Sequence, residues 1–172
     1  MTAESDISWS GPGQAFNLRV AAIITCRGRL LLCRVGELGH WFLPGGRVRF
    51  GESSAAALAR ELSEELGLEL TAGELALVVE NIYTDRALQH EIGLYYRLTW
   101  PDHLAEDDLH GGIEPGHAFR WLPMGELGSV PFQPDSLVPV LQDLGGTPWH
   151  VVLDRRAEGP PPSPRPAEGP RR

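Results

Sequence analysis

The chain has 172 residues, which is enough for one domain with a substantial hydrophobic core. Hydrophobic residues make up 42% and charged residues 22%, as in ordinary soluble globular proteins, and no apolar run is long enough to cross a bilayer. The formal net charge of −8 argues against nucleic acid as a general partner, because nucleic-acid binding depends on neutralised phosphates. The N-terminus lacks the basic start and apolar run of a signal peptide, so we expect a cytoplasmic protein. All fifteen basic residues are Arg, which indicates a GC-rich bacterial genome.

Strand-like and helix-like segments alternate along the chain. Hydrophobic patterning predicts strands over residues 17–25, 29–35, 47–50, 75–83, 91–100 and 119–122. Helices are predicted over residues 54–66, with Ser53 as the N-cap and Gly67 as the C-terminal stop, and over residues 137–144. This interleaving favours an α/β layered sandwich.

Two end segments differ in composition from the central domain, residues 16–154. Residues 1–15 are polar and contain Gly and Pro, so we expect a flexible N-terminal lead-in. Residues 155–172 are rich in Pro and Arg and are expected to form a disordered tail, with a polyproline ligand for a partner protein as the alternative. Cys26 and Cys33 are expected to be buried, reduced thiols; neither belongs to a Cys-x-x-Cys pair, so a zinc site has little support.

Three carboxylates share one arc of the first predicted helix. Glu61, Glu64 and Glu65 stand at i, i+3 and i+4, beside an arc of Leu and Ala that can enter a core. Clustered carboxylate oxygens are what Mg²⁺ and Mn²⁺ prefer, although a solvated acidic face is the alternative. The preceding Pro-Gly-Gly turn, with Gly45 and Gly46, would let a metal ion or phosphate approach the backbone closely.

The stretch from Gly46 to Leu68 resembles a complete Nudix box. It reads Gly46, five residues, Glu52, seven residues, and then Arg-Glu-Leu-Ser-Glu-Glu-Leu-Gly-Leu. The wider resemblance runs from about residue 16 to 144 and includes the Trp-Phe-Leu-Pro-Gly-Gly stretch before the box. It implies an α/β/α sandwich around a central mixed β-sheet, with the box as a loop-helix-loop.

The resemblance also assigns roles to the residues of the box. It implies that Glu61, Glu64 and Glu65 bind Mg²⁺, for which Mn²⁺ can substitute, with help from the Gly45 carbonyl. Arg60 would hold a box Glu in orientation, whereas Glu52 and Gly67 would be structural. Glu61 is one candidate for the general base, but base and metal ligand are not separable from the sequence.

Residues outside the box are assigned less directly. The family usually takes a further Glu from elsewhere; we favour Glu91, with Glu114 as the rival and Glu80 as a third possibility. Charge considerations point to substrate-binding groups near the diphosphate, which are Gly46 and three arginines, Arg34, Arg47 and Arg49, with Arg19 as a further arginine. Trp41, Phe42 and Tyr83 could stack on a base but are expected in the core. His103, His110 and His117 are expected to be exposed to solvent.

The function implied by this resemblance is that of a Mg²⁺-dependent pyrophosphohydrolase with an alkaline pH optimum. Water would attack phosphorus in the diphosphate linkage of a nucleoside di- or triphosphate, or of another nucleoside diphosphate derivative. The alternative is a Nudix-fold module that senses a nucleotide without hydrolysing it, although the intact box disfavours it. A small-molecule partner, no nucleic acid and no membrane are expected, and a homodimer is left open.

Overall fold

The computed structural model describes residues 5–101, 114–146 and 148–157. The described strands are β1 (Ser8–Gly11), β2 (Gln14–Cys26), β3 (Arg29–Val35), β4 (Leu75–Thr84), β5 (Leu88–Thr99), β6 (His117–Pro123) and β7 (Trp149–Arg155). The helices are α1 (Ser54–Leu66) and α2 (Val138–Gln142), and 3-10 turns span Met124–Ser129 and Asp135–Leu137.

The strands form one mixed sheet in the order β6-β3-β2-β5-β4-β7, with β1 paired to β2. Two pairings, β2 with β5 and β4 with β7, are parallel, whereas the other pairings are antiparallel. The parallel pair at the centre is long, running from Gln14 opposite Leu88 to Thr25 opposite Thr99. Strand β2 therefore contributes side chains to both faces of the sheet.

Each face of the sheet has its own hydrophobic cluster, because successive strand residues point to opposite sides. On one face, Val20, Ala22 and Ile24 of β2 pack with Leu58 and Leu62 of α1. The other face meets the 3-10 turns and α2, through buried residues that include Ile23, Leu32, Leu77, Leu127, Leu137 and Leu141. Helical layers on both faces confirm the predicted α/β/α sandwich.

Helix α1 begins and ends where its sequence predicts. The hydroxyl of Ser53 accepts a hydrogen bond from the backbone N–H of Ala56, which satisfies one of the free amides of the first turn. Gly67 has a φ of 68°, the left-handed conformation that only Gly adopts without strain, and its N–H donates to the Ser63 carbonyl. Caps at both ends fix which residues of α1 face the sheet.

Several predicted boundaries differ from the structure. Residues 8–11 form β1, although this segment was expected to be a loose lead-in, because their backbone pairs with β2. Strand β7 was not predicted, and it ends at Arg155, a residue assigned to the tail. Residues 47–50 make only isolated bridges, Arg19 to Arg47 and Asp6 to Arg49. The remaining tail, 158–172, lies outside the described residues, as do residues 1–4.

The second helix and the cysteines add two smaller findings. Of the predicted helix 137–144, only Val138–Gln142 is α-helical, and a 3-10 turn precedes it. Cys26 and Cys33 are not joined by a disulfide; Cys33 is buried as expected, whereas Cys26 is only half-buried. None of the helices in the described ranges is both long and apolar enough to span a membrane.

Candidate active site

Arg60 organises the carboxylates of the box, two on α1 and one in the loop before it. Its guanidinium donates to Glu52 Oε1 at 2.7 Å, to Glu61 Oε1 at 2.7 Å and to Glu64 Oε2 at 3.3 Å. It also donates to the Arg47 carbonyl at 3.0 Å, which ties the helix to the preceding loop. One planar cation thus sets the orientation of three acidic side chains.

Glu52 supports this arrangement from the loop. Besides its pair with Arg60, its Oε1 accepts the backbone N–H of Arg49 at 2.6 Å. The hydrogen bond from Arg60 holds the pKa of Glu52 below its usual value, and Glu52 in turn raises the pKa of Arg60. These two contacts tie Glu52 to the loop backbone and to the helix, and its structural role stays a prediction.

The Pro-Gly-Gly turn lies directly against β2 and the helix. Val20 donates its N–H to the Gly46 carbonyl at 2.9 Å. A Cβ on Gly45 would lie 2.3 Å from the Val20 carbonyl oxygen, and one on Gly46 would lie 2.3 Å from the Glu61 carboxyl carbon. Position 45 therefore requires Gly, because a Cβ would meet backbone atoms, whereas a larger residue at position 46 would displace the Glu61 carboxylate.

Glu65 has a different environment from the other carboxylates of the box. It is 4% exposed, it accepts a hydrogen bond from the Gly45 backbone, and its Oε2 has no hydrogen-bond partner within the described part of the chain. Burial, followed by the negative charge of Glu61, raises the pKa of Glu65 to about 8. A buried carboxylate with an unpaired oxygen beside a second carboxylate fits a hard divalent cation, which would supply the missing charge.

A cavity of about 450 Å³ opens on the face of the sheet opposite α1. Its lining mixes polar and aromatic side chains, among them Arg19, Asn81, Tyr83, Glu91, Tyr95, Phe132, Gln133, Asp135 and Arg155. Burial raises the pKa of both Tyr83 and Tyr95 to about 12, so both phenols stay neutral. The cavity therefore offers aromatic surface together with hydrogen-bonding groups of both kinds, as small-molecule sites do.

The polar groups of the cavity form a connected network. Glu91 accepts a hydrogen bond from Asn81 Nδ2 at 3.2 Å and lies 3.9 Å from Arg19 Nη1. Arg155 donates to Asn81 Oδ1 at 3.0 Å, and its guanidinium carbon lies 5.3 Å from the centre of the Tyr83 ring. The charge of Arg19 also opposes the rise in the pKa of Glu65. Arg19 thus lies close enough to influence both the cavity and the box.

The three candidates for the extra carboxylate have different surroundings. Glu91 lines the cavity, as described above. Glu114 lies beside the box, with its Oε2 3.7 Å from His117 Nδ1, and its charge also raises the pKa of Glu65. The third candidate, Glu80 of β4, has its Oε1 2.7 Å from Nε2 of His150 in β7. Glu91 and Glu114 are the two that lie near groups of the site.

The arginines expected near the diphosphate each have neighbours within the domain. Arg47 donates to Asn17 and lies 3.5 Å from Asp6. Arg49 lies 3.5 Å from Glu64. Arg34 lies over the Trp41 ring, 5.0 Å from its centre. The arginines among the described residues that line the cavity are Arg19 and Arg155.

His117 is not exposed, contrary to expectation. Its side chain is 10% exposed, and its Nε2 lies 3.8 Å from Glu65 Oε1. The pairing of β6 with β3 places His117 opposite Val35, on the α1 face of the sheet. The position of His117 depends on pairing between strands that are distant in the sequence, so the Gly-rich sequence around His117 does not predict it. His103 and His110 lie outside the described residues.

Sequence reasoning also missed Asn81 and Arg155. Asn81 is 8% exposed and interrupts the apolar run of β4, which is a signal that could have been used. Arg155 reaches the cavity only because β7 pairs with β4, which places it opposite Tyr83.

The fold is a layered α/β/α sandwich, and its site is a group of carboxylates on helix α1 that Arg60 binds. A family model for the NUDIX domain matches residues 16–144. The chain therefore belongs to the Nudix hydrolase superfamily, which confirms the resemblance of the box.

Three relatives illustrate this membership. The putative 8-oxo-dGTP diphosphatase 2 of Mycobacterium tuberculosis is 69% identical over 32 residues, 19% of this chain and 23% of that protein. The CTP pyrophosphohydrolase of Escherichia coli is 48% identical over 59 residues, 32% of this chain and 44% of that protein. The solution structure of the E. coli ORF135 protein matches this fold with a TM-score of 0.55 and a sequence identity of 30%. The match covers 74% of this chain and 86% of that one. The matches to the two curated relatives thus span less than half of their lengths.

Proposed function

We propose that this chain is a Mg²⁺-dependent pyrophosphohydrolase that splits the diphosphate linkage of a nucleoside triphosphate with water. The observation that supports this most directly is Glu65, a buried carboxylate with an unpaired oxygen, next to Glu61 and Glu64, which Arg60 holds in place. The names of the two curated relatives, a diphosphatase and a pyrophosphohydrolase of nucleoside triphosphates, favour that substrate class over other nucleoside diphosphate derivatives.

The metal would be held by the side chains of Glu61, Glu64 and Glu65. Mn²⁺ would fit the same oxygen ligands. When bound, such an ion would neutralise the diphosphate and make water more acidic. The residues fit this role because three carboxylates, Glu52, Glu61 and Glu64, share ion pairs with only two arginines of the described residues, Arg60 and Arg49, and Glu65 is in neither set of pairs, which leaves negative charge unbalanced.

The protein's own groups would divide the remaining work. Arg60 orients Glu61 and Glu64, and Glu61 is the candidate that accepts a proton from the attacking water. The cavity would hold the nucleoside, with Tyr95 as aromatic surface and Asn81 as a polar partner for a base edge. Arg19, which influences both regions, would pair with phosphate oxygens between them.

The first experiment is a turnover panel with Mg²⁺ or Mn²⁺. It includes nucleoside triphosphates, deoxynucleoside triphosphates, nucleoside diphosphates, ADP-ribose and diadenosine polyphosphates, with release of pyrophosphate or nucleotide as the readout. Glu64→Gln removes one carboxylate of the site, whereas Glu69→Gln removes an exposed one just beyond the helix and serves as the matched control.

We expect metal-dependent release of nucleoside monophosphate and pyrophosphate that is lost in Glu64→Gln and kept in Glu69→Gln. Turnover that is independent of the metal or unaffected by Glu64→Gln would refute the proposal. Tight nucleotide binding by the wild type with no turnover of any compound would instead favour the nucleotide-sensing module.

A further inference from the structure

A second group of ligand-type side chains lies beside the carboxylates of the box. Cys33 of β3, Glu65 of α1 and His117 of β6 have ligand atoms that all lie within 4.8 Å of one another. Strand pairing brings two of them together, since Cys33 is opposite Phe119 and Val35 is opposite His117, so Cys33 and His117 point to the same face. We call these three residues the Cys-Glu-His cluster.

The cluster is buried and its hydrogen bonding is incomplete. Cys33 is 3% exposed, Glu65 is 4% exposed, and the side chain of His117 is 10% exposed. Within the part of the chain that the structure describes, Glu65 Oε2 and His117 Nδ1 have no hydrogen-bond partner. Buried polar atoms are rarely left in this state, so the unpaired Glu65 Oε2 indicates a missing partner at the cluster, while the unpaired His117 Nδ1 lies on the side of the ring toward Glu114.

The separations suit a small cation better than a direct contact. His117 Nε2 lies 3.8 Å from Glu65 Oε1, which is too long for a hydrogen bond. Tetrahedral Zn²⁺ with bonds of about 2.0–2.3 Å holds its ligand atoms roughly 3.5 Å apart. The three ligand atoms, which all lie within 4.8 Å of one another, are therefore only slightly farther apart than the ligands of a bound Zn²⁺.

The mixture of ligand types sets the class of ion. A cysteine sulfur, which binds a metal after losing its proton, and an imidazole together favour Zn²⁺ over Mg²⁺, which prefers oxygen ligands alone. The His117 ring also has a suitable second partner, because its Nε2 faces Glu65 while its Nδ1 lies 3.7 Å from Glu114. A carboxylate that accepts the second N–H of a ligating His orients the ring and strengthens the bond to the metal. Stacking on Phe119, with the rings 18° from parallel, fixes the ring further.

We propose that the Cys-Glu-His cluster binds Zn²⁺ through Cys33, Glu65 and His117, with Glu114 as the partner of the His117 ring. This site is distinct from the Mg²⁺ site of the box but shares Glu65 with it. Three protein ligands leave a fourth position for water. Occupancy by Zn²⁺ would withdraw Glu65 from the box and inhibit turnover, a consequence that rests on the proposed function, whereas the binding itself does not.

The test uses the full-length chain freed of metal with a chelator and titrated with Co²⁺, which reports a metal–thiolate bond through near-ultraviolet absorption. We expect that absorption at one equivalent of Co²⁺ and its loss when Zn²⁺ is added. Cys33→Ser should abolish it, while Cys26→Ser, the matched cysteine outside the cluster, should keep it. By competition with a chromophoric chelator, Zn²⁺ affinity should fall at least about 100-fold in Cys33→Ser and about 10-fold in Glu114→Gln.

Near-ultraviolet absorption that persists in Cys33→Ser, or a Zn²⁺ affinity in that variant within about twofold of the wild type, would overturn the proposal. If Cys33→Ser does not fold, as judged by circular dichroism, His117→Gln provides the same decision: its Zn²⁺ affinity must fall at least about 100-fold. None of these readouts involves turnover, so a chain without pyrophosphohydrolase activity would give the same binding results.

Discussion

The pH dependence of stability offers a direct test of the state of Glu65. The perturbation is Glu65→Gln in metal-free protein, which keeps the size of the side chain and its acceptor for the Gly45 N–H but cannot ionise. Burial raises the folded-state pKa of Glu65 from 4.5 to about 8. Between these values the folded state binds more protons than the unfolded state, so stability falls as pH rises.

The size of the pH effect on the free energy of unfolding follows from the same difference in pKa. A group in this condition changes the free energy of unfolding by about 1.4 kcal/mol per pH unit, or about 3 kcal/mol between pH 4.5 and pH 7. Its favourable contribution is complete below pH 4.5 and is lost as pH rises through about 8. Relative to wild type, Glu65→Gln should therefore become progressively more stable over this window, with little difference at its acid end.

The assay is urea unfolding followed by tryptophan fluorescence, in a chelator, at pH values from 5 to 8.5. Other titrating groups are common to both proteins and cancel in the difference. Glu69→Gln, which removes an exposed carboxylate, should stay within about 0.5 kcal/mol of wild type at every pH. A pH-independent difference between wild type and Glu65→Gln would show that Glu65 is ionised and compensated in the folded protein, and would contradict a raised pKa for Glu65.

Three further changes test the parts of the site separately. Gly46→Ala places a Cβ 2.3 Å from the Glu61 carboxyl carbon, so turnover should fall about 100-fold with the fold kept by circular dichroism; unchanged turnover would contradict the need for that close approach. Glu52→Gln loosens Arg60, so steady-state kinetics should show about a 10-fold lower kcat. Urea unfolding should show a free energy of unfolding that is lower by about 1 kcal/mol. A lower stability with a normal kcat would mean that Glu52 has a structural role only. Arg155→Met removes a cation from the cavity, so KM for the triphosphate should rise about 10-fold with kcat kept, and an unchanged KM would exclude Arg155 from nucleotide binding.

The parts of this protein that its sequence predicts are those governed by local rules. Helix α1 follows from its apolar spacing and from caps at Ser53 and Gly67, all within a few residues of one another. The hydrogen bonds that Arg60 makes with Glu52, Glu61 and Glu64 lie within the same short stretch. Each of these features depends on contacts within or close to the box.

The features that were missed depend on pairing between distant segments. Strand β7 alternates in burial at the edge of the sheet, and its place beside β4 brings Arg155 to the cavity. The N-terminal segment supplies Asp6, which lies near Arg47 and engages an arginine expected at the diphosphate. No spacing along the chain encodes either contact, because both arise from the order of strands in the sheet.

The Cys-Glu-His cluster shows the same limit for metal sites. A search for closely spaced cysteines gave no support for zinc, because the three residues come from β3, α1 and β6 and share no local spacing. The carboxylates of α1 differ in whether a cation of the protein balances their charge. Arg60 balances Glu61 and Glu64, whereas Glu65 is left without a cation partner at hydrogen-bond distance within the described residues. A cation bound at Glu65 would stabilise the fold, so under the two proposals hard and soft ions would compete for the same carboxylate.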